Sequence, residues 1–146
     1  MRRRRKRTPL WLTSPEAIVE MKRGVALDPL SPLYTAWLGG QYWMVGQNEE
    51  AIAQARKSLE LEPDFPVGLY VLGGAHADMG RYAEAIATHE KTAAKYPTYR
   101  WTLARTYALA GWTDEARKIL ARIGRGHRVT GFSGSLAYSR GLRRPG

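Results

Sequence analysis

Few side chains in this sequence carry chemistry beyond hydrogen bonding. The histidines are His76, His89 and His127, and cysteine is absent. Single imidazoles scattered along a chain lack the paired spacing of a metal centre. Without a thiol there is no disulfide, no thiolate ligand and no cysteine nucleophile. Glu49/Glu50 and Asp114/Glu115 are paired carboxylates, as acid–base chemistry requires. Each pair, however, stands where a helical stretch begins, and the helix dipole accounts for acids there. No serine sits in a nucleophile elbow. Gly124-x-Gly126 followed by Gly131 departs from the spacing of a dinucleotide-binding turn and follows no strand. These residues point to no catalysis, no cofactor and no metal. What remains is a surface rich in the residue types that dominate binding hot spots, with 5 Trp and 8 Tyr.

The chain of 146 residues is 44% hydrophobic, enough for one packed domain. The net charge of +10 is uneven. Arg2 to Arg7 supplies six bases, and Arg117 to the end supplies eight with no acid, whereas 8–116 holds 9 bases against 13 acids. A polybasic end attracts nucleic acid or an anionic surface in a salt-sensitive way, and it is equally the signature of a solvated arm. No apolar run reaches the ~20 residues of a membrane helix. The basic start leads into Thr8-Pro9-Leu10-Trp11-Leu12 and then polar residues, not into the core of a secretory signal. A cytoplasmic location is the expectation.

The elements that must present this surface are visible as a repeat. Pro29, Pro63 and Pro97 are spaced by 34, as are Ala17, Ala51 and Ala85. Glu50-Ala51-Ile52-Ala53 returns as Glu84-Ala85-Ile86-Ala87, and an altered copy opens at Glu115. Each unit reads as two helices. Leu33, Ala36, Trp37, Gly40 and Met44 recur at helical spacing over 32–45, and Gly46 stops the helix. Over 48–61, Asn48 is the expected N-cap and Ile52, Ala55 and Leu59 form the apolar stripe. The pattern predicts further pairs at 66–79 with 82–94 and at 98–110 with 113–123. Small residues at matched places, Gly39, Gly73 and Ala104 in the first helices and Ala51, Ala85 and Ala116 in the second, mark where paired helices cross closely.

This pattern resembles the tetratricopeptide repeat family. Its W-x2-L-G-x2-Y…A-x3-F…P signature lies over Thr35, Leu38, Gly39, Tyr42, Ala51, Ala55 and Pro63 in unit one. Unit two carries Leu69, Leu72, Gly73, His76, Ala85, His89 and Pro97, and unit three carries Arg100, Leu103, Ala104, Tyr107, Ala116 and Leu120. The likeness spans about 15–123 and resembles the C-terminal segment of bacterial multidomain regulators. It implies an all-α fold, antiparallel helix pairs stacked as a right-handed superhelical solenoid with a concave groove. It implies groove positions at Leu33, Trp43, Met44, Tyr70, Asp78, Trp101 and Arg105, with Asp78 and Arg105 setting polarity. The Lys/Arg/Asn clamp for a peptide carboxylate is missing, because Ala36, Gly40, Val71, Thr98 and Thr102 stand in its place. The resemblance also puts His76 and His89 in facing aromatic slots. There they would be either a weak metal-binding or pH-sensing pair, or two half-buried rings satisfied by a neighbour or water.

The expected organisation is a basic arm and cap at 1–14, a half repeat at 15–29, and repeats at about 32–65, 66–97 and 98–123. A basic, glycine-rich tail follows at 124–146, with a capping helix around 133–140 as one reading. Gly80 to Gly111 is 31, not 34, so the third unit is expected to sit at a different angle. The functional expectation is a non-catalytic scaffold that holds a protein or peptide segment in the groove. The alternatives are nucleic-acid or anionic-surface binding through the basic ends, and homo-oligomerisation through incomplete repeat ends.

Overall fold

The computed structural model describes residues 15–129, with side chains to Arg125. Among the described residues there are seven α-helices and no strand. They are α1 (Pro15–Leu27), α2 (Pro32–Met44), α3 (Asn48–Leu61), α4 (Pro66–Asp78), α5 (Tyr82–Lys95), α6 (Arg100–Leu109) and α7 (Thr113–Val129), with a 3-10 turn at Pro97–Tyr99 before α6. Each helix packs on its sequence neighbour, and α2 also meets α4, as α4 meets α6. The result is an all-α, right-handed solenoid of helix pairs α2/α3, α4/α5 and α6/α7. Among the described residues α1 precedes these pairs and packs on α2. None of its residues is buried. No helix among the described residues is long and apolar enough to cross a membrane.

Local chemistry explains the boundaries. Ser31 caps α2, its Oγ accepting from the Tyr34 amide at 3.2 Å, and Pro32 occupies the first turn. α3 differs from expectation. Gln47 is the cap residue and makes no side-chain bond, so Asn48 is already helical. The helix pairs turn at Gly46, Gly80 and Gly111, whose φ angles are +81°, +74° and +84°. Nothing lies within 4 Å of a Cβ built on Gly80, so only the backbone penalty opposes a side chain there. Gly80→Ala is expected to cost about 1–2 kcal/mol, read as a lowered urea midpoint.

The core is made largely of alanine. Ala36, Ala51, Ala55, Ala75 and Ala85 are fully buried, joined by Leu38, Ile52, Leu69 and Val71. The six small residues of the crossing points, Gly39, Gly73, Ala51, Ala85, Ala104 and Ala116, are all buried. A Cβ on Gly39 would stand 3.1 Å from the Ala51 carbonyl oxygen, so this pair is the α2/α3 crossing itself. At Gly73 the close neighbour is the His89 ring instead.

Two boundaries correct the sequence reading. α7 does not end at 123 but runs through Gly124 and Gly126 to Val129, so the tail outside the described residues begins at 130. The helix expected at 133–140 and the arm at 1–14 both lie outside the described residues. The missing three residues fall between α5 and α6. Counted back from the turn glycines, Pro97 aligns with Pro32 and Pro66, which start first helices, and not with Pro29 and Pro63. Glu62–Phe65 link α3 to α4, whereas Tyr96 alone joins α5 to the 3-10 turn.

Candidate functional site

Helices α2, α4 and α6 bring together five of the seven residues expected to share a face, Trp43, Tyr70, Asp78, Trp101 and Arg105. Trp43, at the end of α2, lies over Gly74 of α4, where a Cβ would fall 2.2 Å from the indole Cη2. Glycine is therefore what lets the outer edge of the indole pack against the next unit. The Trp43 ring meets Tyr70 of α4 edge-on, with centroids 5.2 Å apart and planes at 72°. Tyr70 in turn meets Trp101 of α6 at 5.6 Å and Tyr99 at 6.2 Å. Rings at these separations and angles are in favourable quadrupolar contact. An aromatic ladder thus crosses all three units. Trp101 remains 45% exposed at its far end.

Asp78 organises the polar edge of the ladder. Its Oδ2 accepts from Trp43 Nε1 at 2.6 Å, and its Oδ1 accepts from Arg105 Nη2 at 2.8 Å. The Arg105 guanidinium also sits 5.7 Å from the Trp43 ring centroid. Asp78 and Arg105 therefore engage each other, and neither stands as an isolated charge awaiting a ligand. Burial pushes the Tyr70 hydroxyl above its ordinary range; Arg105 works against that shift, and Tyr99 and Asp78 reinforce it.

The two other groove candidates lie apart. Met44 is 47% exposed at the end of α2. Leu33 is half-buried near the start of α2, ten residues or about 15 Å of axis before Trp43. Of the positions where a carboxylate clamp would stand, Ala36, Val71 and Thr102 are buried. The Thr102 hydroxyl is spent on the Tyr99 carbonyl at 2.7 Å. Sequence reasoning missed Tyr99. It lies in the 3-10 turn, outside any helical stripe, and its only signal was the Tyr96-Pro97-Thr98-Tyr99 cluster at the unit boundary.

His76 and His89 face different surroundings. His89 Nδ1 lies 2.8 Å from Thr106 Oγ1 of α6, and Thr106 donates its one hydroxyl proton to the Thr102 carbonyl. Nδ1 therefore shares the Thr106 hydroxyl with the Thr102 carbonyl, and Nε2 lies buried against Gly73. Burial pushes this imidazole down to about 4; the Tyr70 backbone opposes the shift and Arg105 adds to it. His76 is also lowered by burial, among Glu84, Arg81, Arg56 and Glu49. No group of three or more metal-ligating residues occurs among the described residues.

No family model matches the sequence, and no curated protein matches it. Solved structures of MamA, a tetratricopeptide-repeat protein, do resemble it. One crystal structure of MamA aligns with a TM-score of 0.65 and 24% identity, covering 81% of this chain and 67% of that one. A second aligns with a TM-score of 0.65 and 25% identity over 80% of this chain and 71% of its own length. The C2 form of MamA from MSR-1 aligns at 0.63 and 21%, covering 80% and 68%. With three turn glycines in register and helix pairs that follow those structures, the chain is a solenoid of tetratricopeptide-repeat architecture.

Proposed function

We propose that the chain is a non-catalytic protein-interaction scaffold whose concave face holds a peptide or helical segment of a partner. The observation that carries this reading is the aromatic ladder from Trp43 through Tyr70 to Trp101, which joins three units on one face and stays open at Trp101. Aromatic anchors of this kind dominate interface energetics. The lack of a carboxylate clamp favours a partner held by apolar side chains over one held by its terminus.

The test is capture from nuclease-treated lysate of the source cells at high salt, followed by titration of the captured partner. Trp101→Ala is the cleanest variant because that ring is half exposed and its loss leaves the core intact. The expected result for Trp101→Ala with Tyr70→Ala is a loss of affinity of at least about thirtyfold, the scale of a hot spot. Undiminished binding by the double variant would overturn the groove reading. Binding that collapses with salt, and with removal of 1–7 and 130–146, would support the basic ends as the contact instead.

A second reading rests on the two ends of the stack. Leu30, Tyr34 and Trp37 are exposed on and before α2, and Leu109, Trp112 and Leu120 on and between α6 and α7. Apolar surfaces at both ends of a repeat array favour stacking of one copy on the next. Light scattering across a concentration series decides it, since a constant monomer mass removes this reading.

A further inference from the structure

A cleft of about 390 Å³ opens between the end of α5, α6 and α7, on a different face of α6 from Trp101 and Arg105. Beside it the third unit departs from the repeat. Thr35 and Leu69 fill the matching places in units one and two and are buried, whereas Arg100 in unit three is exposed at the rim. The repeat position that is core in two units carries an exposed cation beside this cavity in the third. Its volume is at the lower end of the ~300–1,000 Å³ typical of small-ligand pockets.

The lining has two characters. Ala93, Leu103 and Ile119 give it an apolar floor, and Arg100, Lys118 and Arg122 surround the opening. Glu115 is the one carboxylate in the wall, and it is already bonded to Lys118 at 2.8 Å. Nearby Glu90 accepts from the Tyr107 hydroxyl at 2.9 Å. Arg100 and Arg122 form no ion pair or hydrogen bond among the described residues. Two guanidiniums, suited to bidentate contact with an oxyanion, therefore stand unneutralised over apolar surface.

We propose that this cleft is a binding site for an amphipathic organic anion, a carboxylate or phosphate head attached to a short apolar body. The head group is held by Arg100 and Arg122, and the body lies on Leu103, Ile119 and Ala93. Residues 1–14 and 130–146 contain no Asp or Glu, so neither segment offers Arg100 or Arg122 a carboxylate side chain. The proposal is independent of the groove reading, because it uses another face of α6.

The test uses the full chain and four probes below their micellar concentrations: octanoate, octyl phosphate, inorganic phosphate and octyltrimethylammonium. Binding is read by calorimetry, and by NMR shifts of the arginine side-chain N–H groups and of the Leu103 and Ile119 methyls. The expected result is one saturable site for octanoate or octyl phosphate, with the shifts centred on those residues. Preference between these two identifies the head group. Inorganic phosphate, which cannot use the floor, should bind at least tenfold more weakly, and the quaternary ammonium should not bind there. Arg100→Gln with Arg122→Gln should weaken the anion at least tenfold. Both side chains are exposed, so the helical circular-dichroism spectrum should be unchanged. Arg140→Gln, Arg143→Gln and Arg144→Gln together should leave affinity as it was. Equal affinity in the Arg100/Arg122 variant, equal binding of the ammonium probe, or shifts confined elsewhere would each overturn the assignment.

Discussion

Gly73→Ala lowers stability by about 2 kcal/mol, and most of that loss disappears when His89→Ala is present as well. The added methyl would stand 2.3 Å from His89 Nε2, 2.5 Å from Cδ2 and 2.9 Å from Cε1. The ring cannot swing away, because it is 1% exposed and held from the other side by Thr106. Overfilling a packed site costs about 1–3 kcal/mol, and a contact this short belongs at the upper end. Alanine recovers up to ~1 kcal/mol of helix propensity over glycine, which leaves the net figure stated. His89→Ala is itself destabilising, since it empties a buried site. In the double variant, however, the new methyl enters space the ring has vacated. The coupling between the two changes should exceed about 1 kcal/mol in the favourable direction, measured by urea midpoints of the four proteins. Additive losses would show that Gly73 is not there to admit the ring.

The second large effect is acid sensitivity centred on the same ring. The His89 imidazole titrates near 4 when folded, against an ordinary value of 6.5 when unfolded. Above pH 6.5 neither state holds the proton and the folded chain keeps its full stability. As pH falls from 6.5 to 4, only the unfolded chain takes the proton, so stability declines throughout that window. Below about 4 the loss is complete. At about 1.36 kcal/mol per unit the decline amounts to roughly 3 kcal/mol. His76, also lowered by burial, acts in the same direction. His89→Phe places in this slot the aromatic that the repeat signature carries, without a titrating group. Thermal midpoints between pH 7 and pH 4.5 should fall steeply for the natural chain and much less for the variant. Parallel curves would show that other groups carry the slope.

Much of the fold was legible because the turn glycines and crossing residues each answer one steric demand. A left-handed turn admits glycine, and a close crossing admits glycine or alanine. Gly46, Gly80, Gly111, Gly39 and Ala51 could therefore be placed by type and spacing alone. Proline is less informative. It suits both the loop after a helix and the first turn of the next one. Pro97 lies 34 residues from Pro63 yet does the work of Pro66, because a three-residue deletion happens to bring the next proline into the same numerical step. The groove was legible in part. Tyr70 and Trp101 hold the same repeat position, Trp43 lies seven residues (two turns) beyond the matching place in its own helix, and the structure brings the three rings together. That Asp78 and Arg105 neutralise each other depends on the offset between α4 and α6, which no pattern within either helix records. The length of α7 was hidden for a related reason. Gly124 and Gly126 argue against a helix locally, and yet the helix continues through both.

The two oxygens of Asp78 have a mechanical consequence. One reaches back to α2 in unit one and the other forward to α6 in unit three, so a single side chain ties three successive layers. A stack of repeats behaves as a coil spring whose stiffness is set at its seams. Here two neighbouring seams share one fastening, so opening the coil at either seam strains the bond that closes the other. Replacing Asp78 would therefore loosen both joints at once, as one hinge pin drawn from two leaves.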